Sequence, residues 1–228
     1  MALGFRVVSD FTRSDKAFVD GLGAIPTAII SDNLGRMVAA GPTVRPMHTF
    51  KDGKGRLAGT ALTVKTRPGD NLMIHKAADM VQPGDVIVVE AGGDLTNALI
   101  GELIVSHARR RGAVGFVVDG AVRDMDVICE DTFPIFGAGV SHRGPYKDGP
   151  GEIGVPIALD GMVIEPGDII VGDQDGVVSI PRAAAEETLA LSRAQVEKEA
   201  KIQAAIAGEG WDRAWVDELL RSRGCEGV

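Results

Sequence analysis

The chain has 228 residues, 45% of them hydrophobic, which suits one globular domain with a sizeable core and excludes a disordered or fibrous protein. Its formal net charge is −8 at pH 7 and its acidic residues are spread along the chain, so we expect no nucleic-acid partner. Two widely spaced cysteines, Cys129 and Cys225, and the lack of a signal sequence or long apolar run predict a protein of the reducing cytoplasm that does not enter a membrane.

The first predicted elements are two short helices within residues 15–40, separated by a Gly-Ala-Ile-Pro turn and packed outside the main core. A strand rich in β-branched residues then begins at residue 57 and ends at the sequence PGDN. Apolar residues at helical spacing predict a helix over 72–81. Asp70 and Asn71 could cap this helix, face a ligand, or do both.

The middle of the chain is predicted to form one β-α-β unit. The strand VIVVE leads into a helix over about 97–111, and a second strand follows over 113–120. Thr96 or Asn97 would cap the helix at its start, and Gly112 would end it.

The last third of the chain is predicted to contain a loop, antiparallel hairpins and two helices. Residues 137–156 are rich in glycine and proline and predict an ordered loop over a site or an interface. Short strands broken by Asp-Gly turns follow over 157–180, which is typical of antiparallel hairpins. From residue 182, alternating charge predicts a helix, and a second short helix is predicted over 211–223. We expect this C-terminal part to meet a neighbouring subunit.

Three charged residues, Glu102, Arg123 and Asp124, are the candidates for chemistry. In a right-handed β-α-β unit, the carboxyl ends of the strands and the start of the helix lie at one edge of the sheet, so these side chains can converge although they are distant in sequence. Two carboxylates can bind Mg²⁺, and an arginine can hold a substrate carboxylate in a bidentate manner. Such a site could stabilise the enolate of a 2-oxo acid. Alternatively, Arg123 and Asp124 form only a local salt bridge.

Five sequence blocks together resemble one family. They are PGDNLMIHKA, GGDLTNALIGELI, GFVVDGAVRD, GPYKDGPGEIGVPI and PGDIIVGDQDGVVSIP. In this order, over roughly residues 20–205, the chain is similar to the RraA-like family. That family contains the regulator of ribonuclease activity A and the class II 4-hydroxy-4-methyl-2-oxoglutarate/4-carboxy-4-hydroxy-2-oxoadipate aldolases.

The resemblance implies an α/β fold, a compact swivelling β/β/α domain with C-terminal helices. It places an RraA-like core with N-terminal helices at 1–181 and a helical extension, at a subunit interface, at 182–228. The predicted hairpins argue independently against a purely doubly wound sheet. The expected assembly is a homo-oligomer, either a trimer or a hexamer.

The resemblance also implies an activity. The expected enzyme is a carbon-carbon lyase that depends on Mg²⁺ or Mn²⁺ and cleaves a 4-hydroxy-2-oxo acid to pyruvate and a second 2-oxo acid, with oxaloacetate decarboxylation as a side reaction. The alternative is a non-catalytic regulator that binds a ribonuclease or a helicase. The retained Asp124 and the C-terminal helices favour the enzyme, because regulator-type members are shorter and often lack that aspartate.

Residue roles follow from the family motif, which is an acidic residue, twenty residues, Arg-Asp, two residues and a final acidic residue. Carried over, Asp124 is the direct metal ligand, while Glu102 and a neighbouring subunit's Glu199 act on the metal through water. Arg123 would hold the substrate carboxylate and the enolate. The other expected substrate-binding residues are Gly101, Leu103, Ile104 and Asn71.

One position departs from the motif, since Val127 stands where the family has the final acidic residue. If that carboxylate orients the arginine, its loss could weaken or alter activity. Asp126 or Glu130 could substitute for it.

Two further residues have competing interpretations. We predict that His75, within an apolar helical pattern, is a partly buried structural histidine rather than a ligand. Lys147 could neutralise a distal substrate carboxylate or could simply be exposed to solvent on its loop.

Overall fold

The computed structural model describes residues 4–208 and 210–228. The chain divides into two compact units, one extending to Ser192 and one comprising Arg193–Val228. The helices are α1 (Lys16–Gly23), α2 (Thr27–Asn33), α3 (Leu72–Met80), α4 (Glu102–Arg111), α5 (Met125–Ile128), α6 (Ala185–Ala207) and α7 (Ala214–Ser222). The strands are β1 (Phe5–Val7), β2 (Arg45–Pro46), β3 (Leu57–Thr66), β4 (Asp85–Glu90), β5 (Ala98–Ile100), β6 (Gly115–Val122), β7 (Ile135–Val140), β8 (Gly151–Ile153), β9 (Ile157–Leu159), β10 (Met162–Ile164), β11 (Ile169–Asp173) and β12 (Gly176–Ile180).

Ten of these strands form one mixed sheet, in which β3, β4, β6 and β7 are successive parallel neighbours. The other edge of β3 pairs antiparallel with β11 and with β8. The strands β4 and β6 are buried along almost their whole length, which is typical of parallel strands covered on both faces. The hairpins β9–β10 and β11–β12 are antiparallel, as their Asp-Gly turns and alternation predict.

Alternate residues of the central strands belong to two different hydrophobic cores, one on each face of the sheet. In β4, Ile87 and Val89 pack with apolar side chains of α3 and α4, whereas Val86 and Val88 pack with the β9–β10 hairpin. A third cluster joins α1, α2 and the first turns of α6 to β11 and β12. The fold is therefore α/β with C-terminal helices, and α3 and α4 lie side by side on one face of the sheet.

The predicted helix over 97–111 begins later than expected, at Glu102. Its first predicted residues instead form β5, which pairs with the end of β6, and Gly101 occupies the position before the helix. Asn97 therefore does not cap α4, and its side-chain amide donates to the carbonyl of Gly144 at 2.6 Å. Thr96 does not cap it either, since its hydroxyl donates to Asp94.

The glycine-rich and proline-rich segment 137–156 is not one continuous loop. The end of β7 takes up its first residues, and β8 lies within it, paired with β3 and β1. Only the part between these two strands remains irregular.

The short helix α5, which directly follows Asp124, was not predicted from the sequence.

Both C-terminal helices are present, although α7 is shorter than the predicted 211–223. The predicted boundary at 181/182 coincides with the start of the helical region, whereas the two compact units divide within α6. The difference arises because the first turns of α6 bury Ala185, Thr188, Leu189 and Ser192. Among the described residues, no helix combines the length and the apolarity that crossing a bilayer requires.

Candidate active site

The carboxyl end of β6 meets the beginning of α4. The strand β5 pairs in parallel with β6, and the backbone N–H of Arg123 donates to the carbonyl of Ile100 at 3.1 Å. Because Arg123 and Asp124 directly follow β6, this pairing carries them to the first turn of α4, where Glu102 lies. The topology thus brings Arg123 and Asp124 to the backbone of Glu102, whereas the convergence of the Glu102 side chain with them stays a prediction.

Asp124 links the two segments through its side chain. Its backbone is left-handed, with a φ of 61°, a conformation that aspartate adopts more readily than most residues. Its Oδ2 accepts a hydrogen bond from the N–H of Glu102 at 2.9 Å and lies 3.7 Å from Nε of Arg123. The carboxylate thereby satisfies a free donor at the positive end of the α4 dipole. Its Oδ1 accepts no hydrogen bond from the described residues, so this oxygen is available to a ligand.

Gly101 makes this close approach possible. A Cβ atom at this position would lie 2.4 Å from Oδ2 of Asp124 and 2.8 Å from Cγ of Arg123. The φ of Gly101 is −159°, which any residue adopts, so the requirement for glycine is steric rather than conformational. A larger residue would displace both charged side chains.

Two backbone donors at the start of α4 have no acceptor. In the described part of the chain, the N–H groups of Leu103 and Ile104 make no hydrogen bond, because they belong to the first turn and no side chain caps them. Unpaired N–H groups at a helix start favour a negatively charged ligand.

A cavity of about 190 Å³ opens beside this turn. Its polar side chains are those of Asn71, His75, Arg123 and Lys147. The remaining lining residues are Ala98, Leu99, Ile100, Gly101, Leu103, Ile104 and Pro145. The volume suits a small organic acid, since pockets for drug-sized ligands are larger.

The cavity contains all the expected substrate-binding residues, namely Arg123, Gly101, Leu103, Ile104 and Asn71. Glu102 and Asp124 do not line it and lie next to it in sequence. Glu199 lies in the second compact unit, where its carboxylate accepts a hydrogen bond from Gln195 at 2.8 Å. Its role at a neighbouring site stays a prediction.

The prediction for His75 is wrong. Its side chain is exposed and lines the cavity instead of being a partly buried structural histidine. Partial desolvation, followed by the positive charge of Lys147, lowers the pKa of His75 below its ordinary value of 6.5. One signal in the sequence could have identified it: His75 lies four residues after Asn71, so both lie on one face of α3.

Asn71 offers the cavity a hydrogen-bond acceptor. Its Nδ2 donates to the carbonyl of Leu99 at 2.9 Å, which fixes the orientation of the amide. Its Oδ1 is buried and accepts no hydrogen bond from residues 4–208 or 210–228. Since a buried acceptor without a partner costs about 1–3 kcal/mol, a donor from a ligand or water would stabilise this arrangement.

Asp70 caps α3, as one of its predicted alternatives has it, and it binds a loop beside the cavity without lining the cavity itself. Its Oδ1 accepts from the N–H of Leu72 at 3.0 Å and so caps α3. Its Oδ2 accepts from the N–H groups of Asp148 and Gly149, at 2.7 and 2.9 Å, and thereby fixes the loop that carries Lys147. Burial alone would raise the pKa of Asp70, but these backbone donors and Arg67 outweigh it and lower the pKa.

Replacing Asp70 with asparagine is expected to reduce the free energy of unfolding at pH 7 by about 1–3 kcal/mol, because an amide N–H₂ would face backbone donors. The lowered pKa means that the carboxylate stabilises the fold at pH values above 3.8, and that this contribution is lost as the pH falls through the still lower folded-state pKa. The difference in the free energy of unfolding between wild type and Asp70→Asn should therefore become smaller below pH 3.8.

Denaturant unfolding of both proteins at several pH values measures this difference. Asp126→Asn is the matched control, because Asp126 is exposed and does not contact Asp70, Arg67 or the loop at 148–149. A difference that does not change with pH would contradict the role of the ionised carboxylate.

The carboxylates of Glu102 and Asp124 could hold a divalent cation. Both side chains are exposed, and Oδ1 of Asp124 accepts no hydrogen bond within the described ranges. No three His, Cys, Asp or Glu side chains converge on a metal position among residues 4–208 and 210–228. A donor set of one or two carboxylates fits Mg²⁺, which usually keeps several waters.

Val127 is on α5 and is 48% exposed. Neither Asp126 nor Glu130 forms an ion pair with Arg123, whose one ion pair within the described ranges is with Asp124. Within the described ranges, Asp126 and Glu130 therefore do not form the ion pair with Arg123 that the resemblance would assign to the final acidic residue of the motif.

The chain is similar to a known protein family and to individual proteins of other organisms. The family model described as RraA-like, Aldolase/RraA, matches residues 27–179. A protein of Halalkalibacterium halodurans named "Putative 4-hydroxy-4-methyl-2-oxoglutarate aldolase" is 38% identical over 204 residues, which cover 89% of this chain and 95% of that protein.

Two solved structures share the fold. An uncharacterized protein from Pseudomonas syringae pv. tomato is 27% identical with a TM-score of 0.75, covering 87% of this chain and 96% of that one. The second is Streptomyces coelicolor RraAS2, described as an unusual member of the RNase ES inhibitor RraA protein family. It is 27% identical with a TM-score of 0.74, covering 85% of this chain and 100% of that one. These neighbours confirm the predicted fold class.

Proposed function

Because this chain belongs to the RraA-like family, we propose that it is a divalent-metal-dependent aldolase that releases pyruvate from a 4-hydroxy-2-oxo acid. The name of the relative from Halalkalibacterium halodurans supports 4-hydroxy-4-methyl-2-oxoglutarate as a substrate. The observation that carries the proposal is the position of Arg123 and Asp124 against the first turn of α4, beside a small cavity. Oxaloacetate decarboxylation is proposed as a side activity, since it forms the same pyruvate enolate.

Arg123 and the start of α4 would bind the 2-oxo acid end of the substrate. The guanidinium lines the cavity and can donate two parallel hydrogen bonds to a carboxylate. The unpaired N–H groups of Leu103 and Ile104 offer two more donors in the same region. Such fixed donors stabilise the negative charge that develops on the 2-oxo oxygen when the enolate forms.

The carboxylate of Asp124 would hold Mg²⁺ or Mn²⁺ directly, with Glu102 acting through water. Asp124 is ready for this role because its backbone conformation and its bond to the Glu102 amide fix its position before any ligand binds. When bound there, a divalent cation would supply Lewis-acid stabilisation of the negative charge that develops on the substrate.

We propose that the site is completed by a second copy of the chain in a trimer or hexamer, with Glu199 reaching the metal waters of its neighbour. Two apolar residues beside the cavity, Leu103 and Tyr146, are 80% and 60% exposed. Exposed apolar surface of this kind is typical of a surface that another protein covers.

A non-catalytic regulator of RNA processing is the second candidate. It is favoured by the likeness to Streptomyces coelicolor RraAS2 and by Val127, which leaves Arg123 without the acidic partner of the family motif. A regulator would bind its ribonuclease or helicase equally well with and without a metal chelator.

We expect the purified protein to release pyruvate from oxaloacetate and from 4-hydroxy-4-methyl-2-oxoglutarate when Mg²⁺ is present and not when a chelator is added. A coupled dehydrogenase follows pyruvate, and a reaction with metal but without protein gives the background. Pyruvate release at the background rate with both substrates would contradict the aldolase and leave the regulator as the better candidate.

A further inference from the structure

Cleavage of a 4-hydroxy-2-oxo acid requires a group that takes the proton of the 4-hydroxyl. The polar side chains lining the cavity are Asn71, His75, Arg123 and Lys147. Arginine and lysine are ordinarily protonated at neutral pH, and an amide accepts hydrogen bonds but not a proton. Imidazole is the one side chain of this set that commonly takes and returns a proton near neutral pH.

The four histidines of the chain differ in their surroundings. His48 is buried, and both of its ring nitrogens form hydrogen bonds with backbone groups. His107 bonds to Asp79 at 2.9 Å, and His142 does not line the cavity. The imidazole of His75 lines the cavity and forms no hydrogen bond within the described part of the chain. Its ring nitrogens are therefore free for a substrate.

The charged groups around His75 come from three directions. Lys147 approaches from the loop that Asp70 fixes, Asp79 lies on α3 itself, and His107 lies on α4. Arg123 faces the same cavity. Partial desolvation, followed by the positive charge of Lys147, favours the neutral imidazole and outweighs the opposing charge of Asp79, so the pKa of His75 is lowered and the ring is able to accept a proton at pH 7.

We propose that His75 is the general base of the aldol cleavage, an inference that rests on the proposed function. A ring nitrogen removes the proton of the 4-hydroxyl, and the electron pair of that O–H bond becomes the second bond of the new carbonyl group. The C3–C4 bond breaks, and its electron pair forms the enolate of pyruvate, held by Arg123. The imidazolium then returns the proton to C3, which gives the methyl group of pyruvate and regenerates neutral His75.

Oxaloacetate offers an internal comparison because it has no 4-hydroxyl. Its decarboxylation breaks the C3–C4 bond with release of CO₂ and requires no base at that position. Loss of the imidazole should therefore harm aldol cleavage much more than decarboxylation.

The test measures both reactions with the full-length protein, Mg²⁺, and the variants His75→Ala and His75→Gln. We expect kcat for cleavage of 4-hydroxy-4-methyl-2-oxoglutarate to fall about 10²–10⁴-fold, and the ratio of cleavage to decarboxylation to fall at least about 10-fold. Added imidazole should partly restore cleavage by His75→Ala. In wild type, kcat/KM for cleavage should fall as the pH drops through the pKa of His75, which lies below the ordinary value of 6.5, and this decline should be absent from both variants.

His142→Gln is the matched control, because His142 is exposed, does not line the cavity and is not among the charged groups around His75, and it should retain the wild-type ratio of cleavage to decarboxylation. Equal loss of both reactions in the His75 variants, or cleavage at the wild-type rate, would overturn the role of His75 while leaving the aldolase intact. A wild-type protein that performs neither reaction would instead overturn the proposed function and the base together.

Discussion

Substituting Arg123 with lysine is expected to lower kcat/KM for metal-dependent pyruvate release by about 10²–10³-fold, the usual effect of removing one preorganised donor to an oxyanion. Lysine keeps the positive charge but cannot form the two parallel hydrogen bonds that a guanidinium offers to a carboxylate. Arg123→Ala should be at least as severe. Steady-state assays with oxaloacetate and with a 4-hydroxy-2-oxo acid measure the effect.

The matched control for this substitution is Arg110→Lys, because Arg110 is exposed on α4 and does not line the cavity. It should retain wild-type activity. If Arg123→Lys were equally active, the arginine would be a partner in a salt bridge and not a substrate ligand.

Asp124→Asn is expected to abolish metal-dependent pyruvate release, with a fall in kcat of at least about 10²-fold, while the protein stays folded. Asparagine tolerates the left-handed conformation and retains an oxygen that can accept from the N–H of Glu102. It loses the negative charge that a divalent cation requires of this position. Asp124→Ala should in addition lower the free energy of unfolding by about 1 kcal/mol, because the α4 cap is lost.

Calorimetric titration with Mg²⁺ and denaturant unfolding separate these two effects. Asp126→Asn, two residues away and exposed, is the control and should bind Mg²⁺ as wild type does. Equal Mg²⁺ affinity in wild type and Asp124→Asn would show that Asp124 serves the fold and not the metal.

The approach of Arg123 and Asp124 to the start of α4 could be predicted from sequence because it depends on one general rule. Parallel strands with a helical crossover place their carboxyl ends and the helix start at the same edge. The β-branched run of β4 and the Asp-Gly turns of the hairpins are equally local signals, and both predict the strands that the structure contains.

The parts that could not be predicted depend on pairing between distant segments. Three residues, Ala98–Ile100, form β5 only because the end of β6 is available beside them, and this pairing moves the start of α4. Lys147 lines the cavity because the carboxylate of Asp70 binds the loop at 148–149. No propensity or periodicity within either segment indicates such contacts. His75 was misinterpreted for a related reason, since an apolar helical pattern does not show which face borders a cavity.

The lack of space at Gly101 limits how this pocket could be redesigned. Because any side chain there collides with Asp124 and Arg123, a mutant library aimed at new substrates should leave this position unchanged. Diversity is better placed at Leu103, whose side chain is 80% exposed at the cavity, and at Pro145. Laboratory evolution of this scaffold would therefore vary the residues that line the cavity and keep Gly101 unchanged.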